Sequence, residues 1–163
     1  MKAVAAFFGK EALREVKKED IVKNIADIRK KTGDRALLRA LHFVNENERV
    51  LMQTKALKCG DLDTFFKGVK ASGDSSFKYL QNIFATKDAS EQGLSLALCI
   101  SEDIMDGKKG AYRVHGGGFA GTIQAFVANE DVAEYKAAMD NIFGEDSCVV
   151  MSIRPEGAIK LDI

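Results

Sequence analysis

The sequence predicts an α+β fold in which a small, mostly antiparallel sheet is covered by helices. Two observations lead to this class. Apolar residues recur at helical spacing up to Met105, and two segments after residue 110 then alternate between apolar and polar residues. A helical stretch and a final apolar segment follow. At 163 residues the chain suits a single domain, 1–163, long enough to bury about 70% of its unfolded surface.

The first half of the chain predicts helices. Residues 1–9 form a short one, and the charged stretch 11–31 continues in helical fashion. A long helix then starts at Asp34, a good N-cap, and ends at Lys58, with Gly60 as the natural stop. Its apolar stripe consists of Leu37, Leu41, Val44 and Leu51.

Two further helices precede the predicted sheet. Asp61 caps the first, which turns an apolar face inward, and the serine-rich stretch 71–76 interrupts or kinks it. The second begins at Ser90 and has an apolar middle, which predicts burial. The inward residues of the first helix are Leu62, Phe65, Phe66 and Val69.

Three strands are predicted in the last third. "GAYRVH" places Tyr112 and Val114 on one face and Arg113 and His115 on the other, and "GTIQAFVA" alternates in the same way. Asn129 then caps a helix, and "SCVVMSI" at 147–153 forms the last strand.

Composition excludes several classes of protein. Lys plus Arg equals Asp plus Glu at 24 each, so no broad basic surface for nucleic acid is expected. We find no apolar run that could span a membrane and no secretory signal. The three cysteines are scattered, which predicts reduced, mostly buried thiols and a cytoplasmic location. Two histidines are too few for a histidine-rich metal site.

The stretch "RVHGGGFAG" is the principal candidate site. A hairpin turn needs one or two glycines with positive φ, whereas three in succession also fit a loop whose main-chain N–H groups press on a ligand. The loop matches neither the dinucleotide fingerprint nor the phosphate-loop motif. Its candidate residues are Gly116, Gly117, Gly118, Phe119 and Gly121, with Arg113 and His115 as possible supports.

Other polar residues are weighed between a functional and a structural role. Arg113 and His115 either steady the loop or meet its ligand; alternatively, Arg113 pairs with a carboxylate and His115 bonds a neighbouring carbonyl. His42 is expected on a helix surface or in packing. The acidic group Glu102, Asp103 and Asp106 is expected to be solvated, so no metal site is predicted.

Two motifs carry a resemblance to a known family. "GAYRVHGGGFAGTIQAFV" resembles the third motif of the GHMP kinase superfamily in its galactokinase form, and "RALHFVNENERV" resembles a galactokinase helix signature. Departures are His115 for a Thr or Ser, Ala120 for a Gly and Gly73 for a His. The residues matching the helix signature are Arg39, Ala40, His42, Glu46, Asn47, Glu48, Arg49 and Val50.

The resemblance implies the ferredoxin-like C-terminal domain of a kinase that transfers the ATP γ-phosphoryl group to the anomeric hydroxyl of galactose or a related sugar. It also implies a polar network around Asn45–Arg49 that holds helix to sheet. The family's sugar-recognition stretch, its nucleotide phosphate loop and its catalytic aspartate have no counterpart here. We therefore expect an N-terminal kinase domain of the same chain as partner, ATP and Mg²⁺ as its cofactors, no catalytic residue here and no activity alone. A non-catalytic sugar- or nucleotide-binding regulatory module is the alternative.

Overall fold

A computed structural model of the chain describes residues 1–119, 121–153, 155–157 and 159. The fold groups into two compact units, Met1–Phe126 and a second that begins at Val127. Within the described ranges, no helix combines the length and the apolar character needed to cross a membrane.

The first unit opens with four short helical elements. They are α1 (Lys2–Phe7), a 3₁₀ turn (Leu13–Glu15), α2 (Lys18–Lys23) and α3 (Ile25–Thr32). The continuous helix predicted over 11–31 is therefore wrong. Asn24 sits between α2 and α3, and its side-chain amide donates to Asp20 O at 2.8 Å, a local bond that competes with helix continuation.

The long helix α4 spans Asp34–Lys58, the predicted bounds, but the prediction that Asp34 caps it is wrong. Gly33 holds the N-cap position, and the Asp34 carboxylate instead accepts a hydrogen bond from Arg29 Nε at 2.5 Å. The N-terminal half of α4 packs against α1–α3, and the buried side chains there include Leu37, Ala40 and Val44. Leu51, which was expected in the inward stripe, is 72% exposed, because the later turns of α4 extend beyond this core.

The next helix, α5, spans Leu62–Ser75, and Asp61 caps it as predicted: the Asp61 carboxylate accepts a hydrogen bond from Thr64 N at 2.9 Å. Leu62 is 53% exposed, so its predicted inward position is wrong. The serine-rich stretch does not interrupt the helix. The backbone instead widens into a π-helical turn at Ser76–Leu80, which ends at Gln81 in the left-handed conformation.

Helix α6 runs over Gly93–Ile104, three residues later than its predicted start. Only one side of it is buried: Leu94 is 8% exposed and Leu96 is 48% exposed.

All three cysteines are free, as predicted, but the prediction that they are mostly buried is wrong. Cys59 and Cys99 are exposed and Cys148 is half-buried.

Strands β1 (Gly110–Val114) and β2 (Ile123–Val127) form a two-stranded antiparallel sheet, and α5 and α6 pack against β1. Val114 is fully buried in a second apolar cluster with Ile83 and Leu94. The predicted α+β class with a helix-covered sheet is confirmed. This packing fixes the end of β1, from which the glycine loop leaves.

The second unit contains a 3₁₀ turn (Asn129–Asp131) and α7 (Val132–Phe143). The predicted strand over 147–153 is not formed. Side chains of α7 bond the main chain at Cys148 instead: Asp140 accepts from Cys148 N at 2.9 Å, and Lys136 donates to Cys148 O at 3.0 Å. Asn129 begins the turn rather than capping the helix.

Candidate functional site

A polar network joins α4, α5 and β1 behind the glycine loop. The Ser72 hydroxyl donates to Glu46 Oε2 at 2.5 Å, and Arg113 Nη1 donates to the same hydroxyl oxygen. Arg113 Nε also donates to the main-chain oxygen of the next residue at 2.9 Å, and Arg49 forms an ion pair with Glu46. The network thus ties helix to sheet, as the helix signature implied.

Two arginines and a histidine lie close enough in this network to influence one another. Burial lowers the pKa of Arg113, and burial together with the charge of Arg113 lowers the pKa of Arg49. The pKa of His42 is lowered by burial first and then by the charges of Arg49 and Arg113. His42 Nδ1 lies 2.9 Å from Ser75 Oγ, so the imidazole is a packing and hydrogen-bonding group between α4 and α5.

This arrangement predicts a pH effect on stability. Folding lowers the pKa of His42, so the unfolded chain takes up the proton at a higher pH than the folded chain does. The contribution of neutral His42 to the free energy of unfolding is therefore complete above about pH 6.5 and is lost as the pH falls below that value. Between about pH 7.5 and about pH 5 the wild-type chain should lose more free energy of unfolding than His42→Gln. Urea titrations of both proteins check this, and equal losses would contradict it.

The glycine loop lies between Val114 and Thr122 and has an unusual backbone. Gly116, Gly118 and Gly121 have positive φ of 62°, 71° and 84°, and Phe119 shares that region at 57°. Among the described residues, none accepts a hydrogen bond from the N–H groups of Gly116, Gly117 and Gly118. Gly116 and Gly117 are exposed, and Gly118 is half-buried. Consecutive N–H groups in such a turn form a concavity suited to anionic or polar oxygens.

Asn82 anchors this loop and is the residue that sequence reasoning missed. Its main-chain oxygen accepts from Phe119 N at 3.1 Å, and its Nδ2 donates to Gly117 O at 3.0 Å. Its Oδ1 accepts from the Ser76 hydroxyl at 3.1 Å. Asn82 is 36 residues upstream of Gly118 and only 2% exposed, and it follows no periodic motif, so only the fold brings it to the loop.

The three consecutive glycines differ in what the fold demands of them. A Cβ at Gly118 would lie 2.1 Å from Asn82 O, and positive φ makes a side chain at Gly116 strained. Gly117 has neither constraint: its φ lies outside the positive region, and nothing lies within 4 Å of a built Cβ. The described fold therefore does not require a glycine at 117. A glycine without such a requirement is expected where something outside the chain approaches the backbone.

The remaining predicted site residues lie around the loop. Phe119 is 54% exposed. Its backbone lies in the left-handed region, where the strain of a non-glycine residue costs about 1–3 kcal/mol. The His115 side chain is exposed, and His115 N donates to Thr122 O at 3.1 Å. Arg113 is engaged in the network described above. Ala120 lies outside the described residues.

Comparison with known proteins identifies the family. No family model matches the chain. It is 36% identical to galactokinase of Haemophilus influenzae strain PittEE over 138 residues, which is 84% of this chain and 34% of that protein. It is 34% identical to galactokinase of Glaesserella parasuis serovar 5 over 128 residues, 78% of this chain and 31% of that protein. The fold matches Lactococcus lactis galactokinase, solved with galactose, at a TM-score of 0.65 and 24% identity, covering 86% of this chain and 33% of that one.

The chain is a galactokinase-like GHMP kinase C-terminal domain. It spans about a third of the length of the curated relatives that it matches. In this galactokinase-like domain, the departure at Gly73 has a structural reason: a Cβ there would lie 2.9 Å from Arg113 Cβ, so α5 approaches β1 more closely than a side chain at 73 permits.

The acidic group at the end of α6 is exposed at Glu102, Asp103 and Asp106. Within the described ranges of the galactokinase-like domain, no group of three or more His, Cys, Asp or Glu side chains could hold a metal ion.

Proposed function

We propose that this chain is part of a galactokinase-like sugar kinase and forms one wall of its phosphoryl-transfer cleft. The reaction is transfer of the γ-phosphoryl group of MgATP to the anomeric hydroxyl of galactose or a related sugar. The single observation that carries the proposal is the glycine loop, in which no described residue accepts from the N–H groups of Gly116–Gly118 and the fold does not require the glycine at 117.

The loop's role in this reaction is to position and to neutralise charge. Phosphoryl transfer depends mainly on holding the reactants in line and on stabilising the charge on the phosphoryl oxygens. Main-chain N–H groups do this without a mobile side chain, and their direction is fixed by the backbone. The exposed Phe119 side chain belongs to the same loop and offers an apolar surface to a ligand bound there.

The remaining parts of the active site belong to the rest of the kinase in this proposal. ATP and Mg²⁺ supply the phosphoryl donor and its charge compensation, and the described residues contribute N–H donors rather than metal ligands. The N-terminal kinase domain, as partner, supplies the base and the phosphate loop. Residues 1–163 then act as one C-terminal domain without a catalytic side chain of their own.

A coupled ADP-release assay tests this division. With galactose and MgATP, the 163-residue chain alone should release ADP at the background rate. The polypeptide encoded by the whole reading frame that contains this chain should turn over galactose. Turnover by the 163-residue chain alone would contradict the division, and an inactive complete polypeptide would contradict the kinase proposal itself.

Gly117→Ala tests the loop directly. The added methyl group meets nothing in the fold, so the stability of the 163-residue chain should stay within about 0.5 kcal/mol of wild type. In the complete kinase the same methyl group stands where the ligand approaches, and kcat/KM should fall about 100-fold because reacting groups are displaced by about 1 Å. Unchanged kcat/KM would show that the loop does not face the reactants.

A second candidate is a non-catalytic sugar- or nucleotide-binding module. The observation that favours it is that the loop and Asn82, its anchor, both lie within this chain, so a ligand contact surface exists without the other domain. Calorimetry of the 163-residue chain with ATP, galactose and galactose 1-phosphate separates the two. Tight binding of one of them, together with a reading frame that adds no upstream kinase motif, would favour the module.

A further inference from the structure

We propose that Asn82 is the positioning residue of the glycine loop and that Ser76 orients its amide. The proposal rests on the proposed function for what the loop binds, but the geometry that carries it lies within the first unit. Asn82 reaches the loop through two separate hydrogen bonds, one from its side chain and one to its main chain. No ligand is needed for either.

The two bonds hold the loop on both sides of Gly118. Asn82 Nδ2 donates to Gly117 O, and Asn82 O accepts from Phe119 N. Gly118 lies between them against Asn82, where a Cβ would lie 2.1 Å from the main-chain oxygen and 2.7 Å from Nδ2. The carbonyl of Gly117 and the N–H of Phe119 are thereby turned toward Asn82, and no described residue accepts a hydrogen bond from the N–H groups of Gly116, Gly117 and Gly118.

The π-helical turn explains how Asn82 arrives at this position. The turn at Ser76–Leu80 and the left-handed Gln81 redirect the chain at the end of α5, and Gln81 N donates to Ser76 O at 3.0 Å. The Ser76 hydroxyl then donates to Asn82 Oδ1, which fixes the amide with Nδ2 toward the loop. Both residues are almost fully buried, at 1% and 2% exposure, so water does not compete for these bonds.

The loop's own backbone needs such an anchor. Phe119 holds a left-handed conformation that a non-glycine residue seldom adopts, and such strain persists only where surrounding contacts fix it. The bond from Phe119 N to Asn82 O supplies one of these contacts. Asn82 therefore acts through the loop and touches no reactant itself.

Amide hydrogen exchange on the 163-residue chain tests the positioning role. Asn82→Asp keeps the side chain's shape and the acceptor for Ser76 but removes the Nδ2 donor. Exchange at Phe119 N–H should become about tenfold faster, while amides in the α4 core, such as that of Ala40, change less than twofold. Ser76→Ala should give a smaller acceleration in the same direction, because Nδ2 still reaches Gly117.

Each outcome decides the proposal. Faster exchange confined to the loop supports it; exchange at Phe119 that stays within twofold of wild type in both Asn82→Asp and Asn82→Ala overturns it. A uniform acceleration across α4 and the loop also overturns it, because Asn82 would then be a general stability residue. The proposed function is scored separately by Gly117→Ala in the complete kinase: unchanged kcat/KM counts against a ligand at the loop, and the exchange result still decides the role of Asn82.

Discussion

Gly118→Ala should destabilise the 163-residue chain by about 3 kcal/mol, which is the largest effect expected of a single methyl group in the glycine loop. Positive φ at this position, 71°, costs an alanine about 1–2 kcal/mol. The added Cβ would also lie 2.1 Å from Asn82 O, a main-chain atom that cannot turn away, and relieving such a contact adds about 1–3 kcal/mol. Urea unfolding followed by circular dichroism measures the change.

Gly117→Ala is the matched control for this experiment. It places the same methyl group one residue earlier in the same loop, where φ lies outside the positive region and nothing lies within 4 Å. If Gly118→Ala and Gly117→Ala destabilise the chain equally, the contact between Gly118 and Asn82 is not what fixes the loop. A large difference separates the glycine that the fold needs from the glycine that the proposed ligand needs.

The second large effect is expected for Glu46→Ala. Glu46 is the carboxylate between two arginines: it forms an ion pair with Arg49 and accepts from Ser72, whose hydroxyl accepts from Arg113. Without it, the partly buried guanidinium groups of Arg49 and Arg113 lose the carboxylate that contacts Arg49 directly and Arg113 through the Ser72 hydroxyl. Removing one partner of a fully buried pair costs about 3–5 kcal/mol, and the partial exposure of Glu46 reduces the expected loss to about 2 kcal/mol.

Glu48→Ala is the control, two residues along the same helix. Glu48 pairs with Lys18 at 2.6 Å, but its side chain is 59% exposed, and such surface pairs contribute about 0–1 kcal/mol. Urea midpoints at low and high salt distinguish the two positions. Similar losses in both variants would mean that the Glu46 network is an ordinary surface pair and does not hold α4 to β1.

Local signals in the sequence predicted several elements well. The capping carboxylate of Asp61 and the apolar stripe of α4 are readable from neighbours in the chain. The cap is present, and so is the stripe at Leu37, Leu41 and Val44, whereas Leu51 is exposed. The strand predicted over 147–153 is not formed, because a local signal is not sufficient for a strand. Its apolar run is a local signal, but a strand also needs a partner strand. In the described part of the chain, Asp140 and Lys136 bond the main chain at Cys148 instead.

The candidate site shows the same division. The glycines and Phe119 were predicted because their run is visible in sequence. Asn82 was missed, because a buried side chain that reaches a loop 35 residues away leaves no periodic pattern. Gln81, which helps redirect the chain, was missed as well. Its backbone is left-handed, but it is not a glycine, so the sequence gives no signal of that conformation.

The sequence by itself determined the helical first half, the change of period at the sheet, the glycine loop and, through its motifs, the family resemblance. These properties depend on residues close together in the chain, where spacing and backbone preference act directly. Only the tertiary structure decided which glycine is required by packing, which carboxylate compensates the arginines and which residue anchors the loop. Those contacts join residues from separate elements, and they exist only after burial of the apolar faces has brought α4, α5 and β1 together.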